Sequence, residues 1–319
     1  MFHLNHRNDA RLQTMNFGDY SLTRYRKPVA DPSLKLYRSV VVKGDAVVCF
    51  SPPQCIPFEE FREKHDFETV TVEPFVDGTM INAFYDGEWK FATKCNVGAT
   101  NKFYDKSFLE LLQDVELPSM DPNLSYSFVL EHKGCRNVTP VEVNCLVLVA
   151  SYRIEGDFVT ETRHLPHVIF RSYDQAMVAA ENLPWTAKGY MMVCGNDRAK
   201  LMSPAFVRVS EIKGNDSQFG FRYLQLVKSN LLNDYTMHFP ERIPEANAMR
   251  RTVEAFSESL YRQYRQTNVA YAFKPHVSAL RRFHRACLSP IPLTRIDVDT
   301  YVSALPPAKL MYALNNINR

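Results

Sequence analysis

Between Thr69 and Thr93, three short runs of β-branched and aromatic residues are separated by two Asp-Gly pairs, Asp77-Gly78 and Asp86-Gly87. Residues 69–76 read as a strand that Asp77-Gly78 ends, residues 80–85 as a second strand, and residues 89–93 as a third returning antiparallel. Asp86-Gly87 is a hairpin signal because both central residues of a tight type I′ turn take positive φ. The second and third strands, joined this closely, can only pair antiparallel, since a parallel pair needs a crossover of a dozen or more residues.

The same punctuation recurs on both sides. Val40-Val41-Val42 and Val47-Val48 flank Lys43-Gly44-Asp45, and Ser51-Pro52-Pro53 ends that hairpin because proline cannot donate to a ladder. Further strands are expected at 126–131, 145–153, 157–163, 189–194 and 200–201, with short helices at 108–112 and 173–182. Beyond Phe221 the period changes. Met249, Val253, Phe256, Leu260 and Tyr264 form one helical stripe, Val277, Leu280 and Phe283 another, and Pro307 opens a third helix at a tolerated first-turn position. The expected fold class is α+β: an antiparallel sheet domain over 31–220, a helical domain over 221–319, and residues 1–30 as a loosely ordered arm.

The chain has 319 residues, room for two cores, with 45% hydrophobic and 23% charged residues. No apolar run is long enough to span a membrane, and the polar start with Asp9 and Asp19 argues against a signal peptide. Seven scattered cysteines, none at zinc-knuckle spacing, read as reduced thiols, and a cytoplasmic location is expected. With a net charge of +3, any pull on nucleic acid must come from local patches. One such patch is the helical region, where Arg250, Arg251, Arg281, Arg282 and Arg285 are interleaved with Tyr261, Tyr264, Tyr271, Phe273 and Phe283. A solvated helix face is the plain reading of it; a phosphate-tracking surface with stacking aromatics is the functional one.

Glu73-Pro74-Phe75-Val76-Asp77-Gly78 resembles the Lys-x-Asp-Gly element of covalent nucleotidyltransferases, in which the lysine amine attacks the α-phosphate of ATP. Burial can free the lone pair of such a lysine. Here the lysine position is Phe75, which has no nucleophile. Other segments follow in the order found in phage-type ATP-dependent RNA ligases. Phe50-Ser51-Pro52-Pro53 through Glu60 is similar to their proline-aromatic stretch, and Phe91-Ala92-Thr93-Lys94-Cys95 to their basic nucleotide contact. Tyr126-Ser127-Phe128-Val129 with Arg136-Asn137-Val138 is similar to their aromatic-Glu-aromatic strand and Asn-Arg run, with Ser127 in place of glutamate. Lys188-Gly189 stands where Glu-Gly is usual, and Lys200-Leu201-Met202 keeps one of two lysines.

The resemblance covers about residues 37–215. It implies a nucleotide site formed by Phe75, Asp77, Gly78, Lys94, Phe128, Lys188, Gly189 and Lys200, with ATP as its cofactor and RNA as partner. Lys188 opposes a metal ion, so Mg²⁺ is expected only if the enzyme is active. Segments such as Ile212-Lys213-Gly214-Asn215 and Leu305-Pro306-Pro307-Ala308 are similar to uncharacterised proteins of large DNA viruses that also lack the nucleophile. Three readings follow: a catalytically degenerate ligase fold binding RNA or nucleotide; an active ligase with a relocated lysine, Lys94 or Lys90; and a protein-interaction subunit whose cleft is filled by Phe75 and Met202.

Overall fold

A computed structural model describes residues 1–5, 9–26, 31–103, 105–162, 166–216, 218–286 and 291–317. It divides into two compact units, Met1–Ser210 and Glu211–Arg319. The division falls earlier than the expected 220, because α4 (below) already begins at Pro204.

In the first unit β1–β5 are Phe2–His3, Leu12–Phe17, Tyr20–Tyr25, Val40–Lys43 and Ala46–Phe50. β6–β9 are Thr71–Pro74, Thr79–Asp86, Glu88–Thr93 and Asn96–Val97, and β10 and β11 are Lys102–Phe103 and Lys106–Ser107. β12–β16 are Ser125–Glu131, Cys145–Glu155, Phe158–Glu161, Gly189–Cys194 and Asp197–Met202. The helices are α1 (Phe58–Lys64), α2 (Phe108–Leu112) and α3 (Tyr173–Glu181), with α4 (Pro204–Lys213) leading out of the unit.

The strands form a seven-stranded sheet ordered β1-β14-β13-β12-β7-β8-β9, a four-stranded sheet β2-β3-β4-β5, a three-stranded sheet β16-β15-β6 and the small pair β10-β11. Every strand pairing described is antiparallel. The class is α+β, as the sequence led us to expect. The end of the predicted 157–163 strand and Cys287 lie outside the described residues.

The described residues within 1–30 are not a loose arm. Phe2 and Leu4 are buried, and β2 and β3 extend the sheet through Thr23↔Val40 and Leu22↔Val41. The physical reason is legible afterwards: Gly18 takes φ +59° at the turn, and the flanking residues alternate. The four-stranded sheet packs on the seven-stranded one through Leu22, Val41 and Cys49 against Phe84 and Ala92. A second contact sets Phe50 edge-on to Tyr152 at 5.0 Å, both fully buried.

The Asp86-Gly87 turn is tighter than expected. Asp86 pairs directly with Glu88, and only Gly87 has positive φ, +71°. Asp86 keeps an ordinary φ as the last residue of β7, and its carboxylate is held by Tyr20 Oη and, at 2.5 Å, by Lys43 Nζ.

In the second unit α5–α10 are Phe219–Lys228, Leu232–His238, Ile243–Tyr264, Lys274–Ala286, Arg295–Ala304 and Pro307–Asn316. Phe256 and Leu260 of α7 bury against Val277 and Leu280 of α8, Val298 and Val302 of α9, and Leu310 and Leu314 of α10. Phe283 departs from the expected stripe. It is 55% exposed, because the buried face of α8 ends at Leu280.

Candidate nucleotide cleft and basic helix face

β6 ends at Pro74, whose missing N–H cannot extend the ladder. Phe75 is still tied to the neighbouring strand, its N–H donating to Gly189 O at 3.0 Å. From there residues 75–78 cross from the three-stranded to the seven-stranded sheet, and a glycine allows close approach at each side. A Cβ on Gly78 would lie 2.4 Å from Leu130 O, and one on Gly189 (φ +135°) 2.1 Å from Leu201 O. Both contacts are to backbone oxygen, which cannot swing away, so both positions demand glycine.

The crossing borders a cleft of about 380 Å³. Met80, Val129, Val147 and Val149 of the seven-stranded sheet make its apolar wall, joined by Met191 of β15. Four cationic side chains, Arg38, Lys188, Arg198 and Lys200, line it with one carboxylate, Glu73. Glu73, Met191 and Lys200 are neighbours across β6, β15 and β16.

Phe75 is half-buried at the cleft, not a core aromatic. Its ring centre lies 4.3 Å from Lys188 Nζ and 5.3 Å from Lys200 Nζ, within cation–π range of both. Lys188 Nζ also donates to Asp77 Oδ1 at 3.1 Å. Asp77 Oδ2 accepts from Val138 N at 2.8 Å and Thr139 N at 3.0 Å, so two of the sequence-flagged segments meet at this carboxylate. Arg198 is almost fully buried and forks onto Glu161 at 2.8 and 2.9 Å. Burial works against its charge, but Tyr152 and Glu161 override it and its pKa is raised. Arg38, half-buried, has no hydrogen-bond or ion-pair partner among the described residues.

Of the predicted nucleotide residues, Phe75, Gly78, Lys188 and Lys200 line the cleft. Asp77 stands behind Lys188, and Gly189 holds Phe75. Phe128 does not reach the cleft: it is buried on the opposite face of β12, stacked on Tyr126 at 5.8 Å, and its neighbour Val129 faces the cleft instead. Strand side chains alternate, so a one-residue slip changes the face. Lys94 is not in the lining either, its Nζ lying 5.2 Å from the Tyr25 ring, and Lys90 pairs with Glu88. Ser127 is fully buried, donating to Asn82 Oδ1 at 2.8 Å. The cleft is open, and Met202 takes no part in it.

Arg38, Arg198 and the apolar wall escaped sequence reading. They come from distant segments, Arg38 from the bend before β4 and Arg198 from β16, and no local spacing marks them.

In the helical unit Arg250 is set against Glu254 at 3.9 Å, and Arg251 borders a groove with Ile317. Arg281, Arg282 and Arg285 are exposed on α8. None has a carboxylate partner among the described residues; Arg281 donates to Gln266 O and Arg285 to Arg281 O. The sequence of α8 contains no acidic residue. Tyr271, 85% exposed, and Phe283 are available for stacking, whereas Tyr264 and Phe273 are buried.

No protein-family model matches the chain, and no curated protein matches it. Among solved structures it is similar to a protein described as an ATP-dependent DNA ligase from Aquifex aeolicus, at 12% identity over 78% of each chain, TM-score 0.43. It is also similar to one form of an archaeal ATP-dependent RNA ligase, at 14% identity over 79% of this chain and 78% of that chain, TM-score 0.43. Another form of that archaeal ligase matches at 12% identity over 87% of this chain and 84% of that chain, TM-score 0.43. No helix among the described residues is long and apolar enough to cross a membrane.

Proposed function

We propose that this chain is a catalytically degenerate nucleotidyltransferase-fold protein of the RNA ligase kind. It binds a nucleoside triphosphate such as ATP in the cleft without forming a lysyl-adenylate, and holds RNA on its helical unit. It is a variant of the sort found in the large DNA virus proteins its sequence resembles. The observation that carries the reading is Phe75: the residue at the family's lysine position lies at an open cleft lined by four cations, and it carries no amine. The apolar wall suits a base and the cations suit phosphates. Six free cysteines among the described residues fit a reducing compartment such as the cytoplasm.

The test is incubation with ATP and GTP labelled on the α-phosphate, with Mg²⁺ or Mn²⁺, followed by a denaturing gel. No labelled band is expected, while equilibrium dialysis retains the nucleotide. A band chased by RNA ends would make the chain an active ligase. Lys94→Ala is expected to leave nucleotide retention unchanged, because Lys94 does not line the cleft.

For RNA, the unneutralised α8 arginines support phosphate contacts better than Arg250, which faces Glu254. Replacing Arg281, Arg282 and Arg285 together by alanine is expected to weaken single-stranded RNA binding about tenfold. The slope of log K against log salt should shrink by about two, following the loss of three phosphate contacts. Anisotropy titrations of a labelled oligoribonucleotide over several salt concentrations measure both. An unchanged slope would remove α8 from the interface.

A further inference from the structure

The resemblance to ATP-dependent ligases implies Mg²⁺ beside the triphosphate, and the donor set at this cleft does not fit it. Magnesium takes near-octahedral oxygen ligands, typically one or two carboxylates plus phosphate oxygens and water. The carboxylates here are Asp77 and Glu73. Asp77 is spent: one oxygen accepts two backbone amides, the other the Lys188 ammonium, and its side chain is 5% exposed. Glu73 is the one carboxylate among the described residues lining the cleft, on the same strand row as Lys200. Among the described residues no three His, Cys, Asp or Glu side chains group as a metal site. A cation entering the cleft would instead meet Lys188, Lys200, Arg38 and Arg198.

Lys188 itself is held where it can act on an anion. Asp77 takes one of its three N–H donors at 3.1 Å, and the rings of Phe75 and Phe206 flank it at 4.3 and 5.7 Å. An ammonium accepts no hydrogen bond, so its remaining donors can go only to acceptors such as phosphate oxygens. Fixing a lysine this way removes part of the side-chain entropy that binding would otherwise cost.

We infer that Lys188 stands in for the divalent cation, and that the cleft takes its nucleoside triphosphate as the metal-free polyanion. This rests on the cleft being the nucleotide site proposed above. Excess Mg²⁺ then competes with the protein, because it converts the free polyanion into a chelate of lower negative charge, which the cations of the cleft attract less strongly.

Titration calorimetry of the full chain with ATP, and separately with inorganic tripolyphosphate, is run in EDTA and in excess MgCl₂. Wild type is expected to bind ATP about tenfold more tightly in EDTA than in MgCl₂, a factor worth about 1.4 kcal/mol. Lys188→Glu is expected to lose that binding in EDTA and regain it with Mg²⁺, since it places a second carboxylate beside Asp77. Lys188→Met, which adds no charge, covers the case in which Lys188→Glu does not fold. It should weaken EDTA binding about tenfold with no rescue by Mg²⁺. Binding of ATP by wild type only when Mg²⁺ is present overturns the inference and leaves the nucleotide cleft standing. Failure of both ATP and tripolyphosphate to bind under either condition overturns the nucleotide cleft as well.

Discussion

Gly189→Ala is expected to destabilise the protein by about 4 kcal/mol, the sum of backbone strain and overpacking that each cost about 1–3 kcal/mol. The alanine Cβ would fall 2.1 Å from Leu201 O and 2.9 Å from the Met202 Cα, at a φ of +135°. Neither neighbour is a flexible side-chain tip, so β15 and β16 must separate where Gly189 pairs with Met202. For a unit of this size a loss of about 4 kcal/mol lowers the melting temperature by about 8–16 °C. Gly195→Ala is the control. It also has positive φ, +55°, but nothing lies within 4 Å of a Cβ there, so its cost should stay near 1 kcal/mol. Thermal melts of the two variants side by side decide the matter: equal shifts would mean that the close approach of the strands contributes nothing. A second consequence concerns the cleft, because Lys188 directly precedes β15 and Lys200 lies on β16, the two strands that must part. If the cleft is the nucleotide site proposed above, any folded Gly189→Ala protein should bind nucleotide more weakly.

What the sequence made legible was local. The strands around Asp77-Gly78 and Asp86-Gly87, the helix at α2 with Phe108, Leu111 and Leu112 on one face, and the change of period before α7 all rest on turns and spacing within about a dozen residues. Failures came where a local signal was weak or where tertiary context decided. Polar residues in β2 and β3 masked a hairpin whose Gly18-Asp19 turn was present to be read. Phe128 was assigned to the cleft from motif position, yet the alternation of β12 points Val129 there and Phe128 to the far face. Phe283 continued an apolar spacing past the point where the helix still had a partner. In the cleft, motif order located the Phe75, Asp77, Lys188 and Lys200 cluster. It gave no hint of Arg38 and Arg198, which chain topology alone brings to the same space. Nor could sequence tell whether Lys188 would face solvent or Asp77. With that pairing, Lys188 leaves no bare ammonium inside.

Asp77 yields the other large effect. In the resemblance it is a nucleotide-site residue, but its geometry makes it a structural hub. Asp77→Ala would leave the amides of Val138 and Thr139 and the ammonium of Lys188 without their acceptor. Removing one partner of a buried ion pair costs about 3–5 kcal/mol, since the other charge stays behind uncompensated. The Lys188 side chain is 17% exposed, so some water can reach it, and a value near 3 kcal/mol is expected. Part of that penalty belongs to the stranded charge and part to the two amides, and a double-mutant cycle separates them. Adding Lys188→Met to Asp77→Ala removes the charge, so the double variant should be less destabilised than the two single losses combined, by about 1 kcal/mol or more. The residual loss measures the amides. Urea unfolding of the four proteins supplies the cycle. If Asp77→Ala costs less than about 1 kcal/mol and the two changes simply add, then Asp77 is a surface turn residue and not the anchor of Lys188. The cleft would then have to hold its lysine by Phe75 and Phe206 alone.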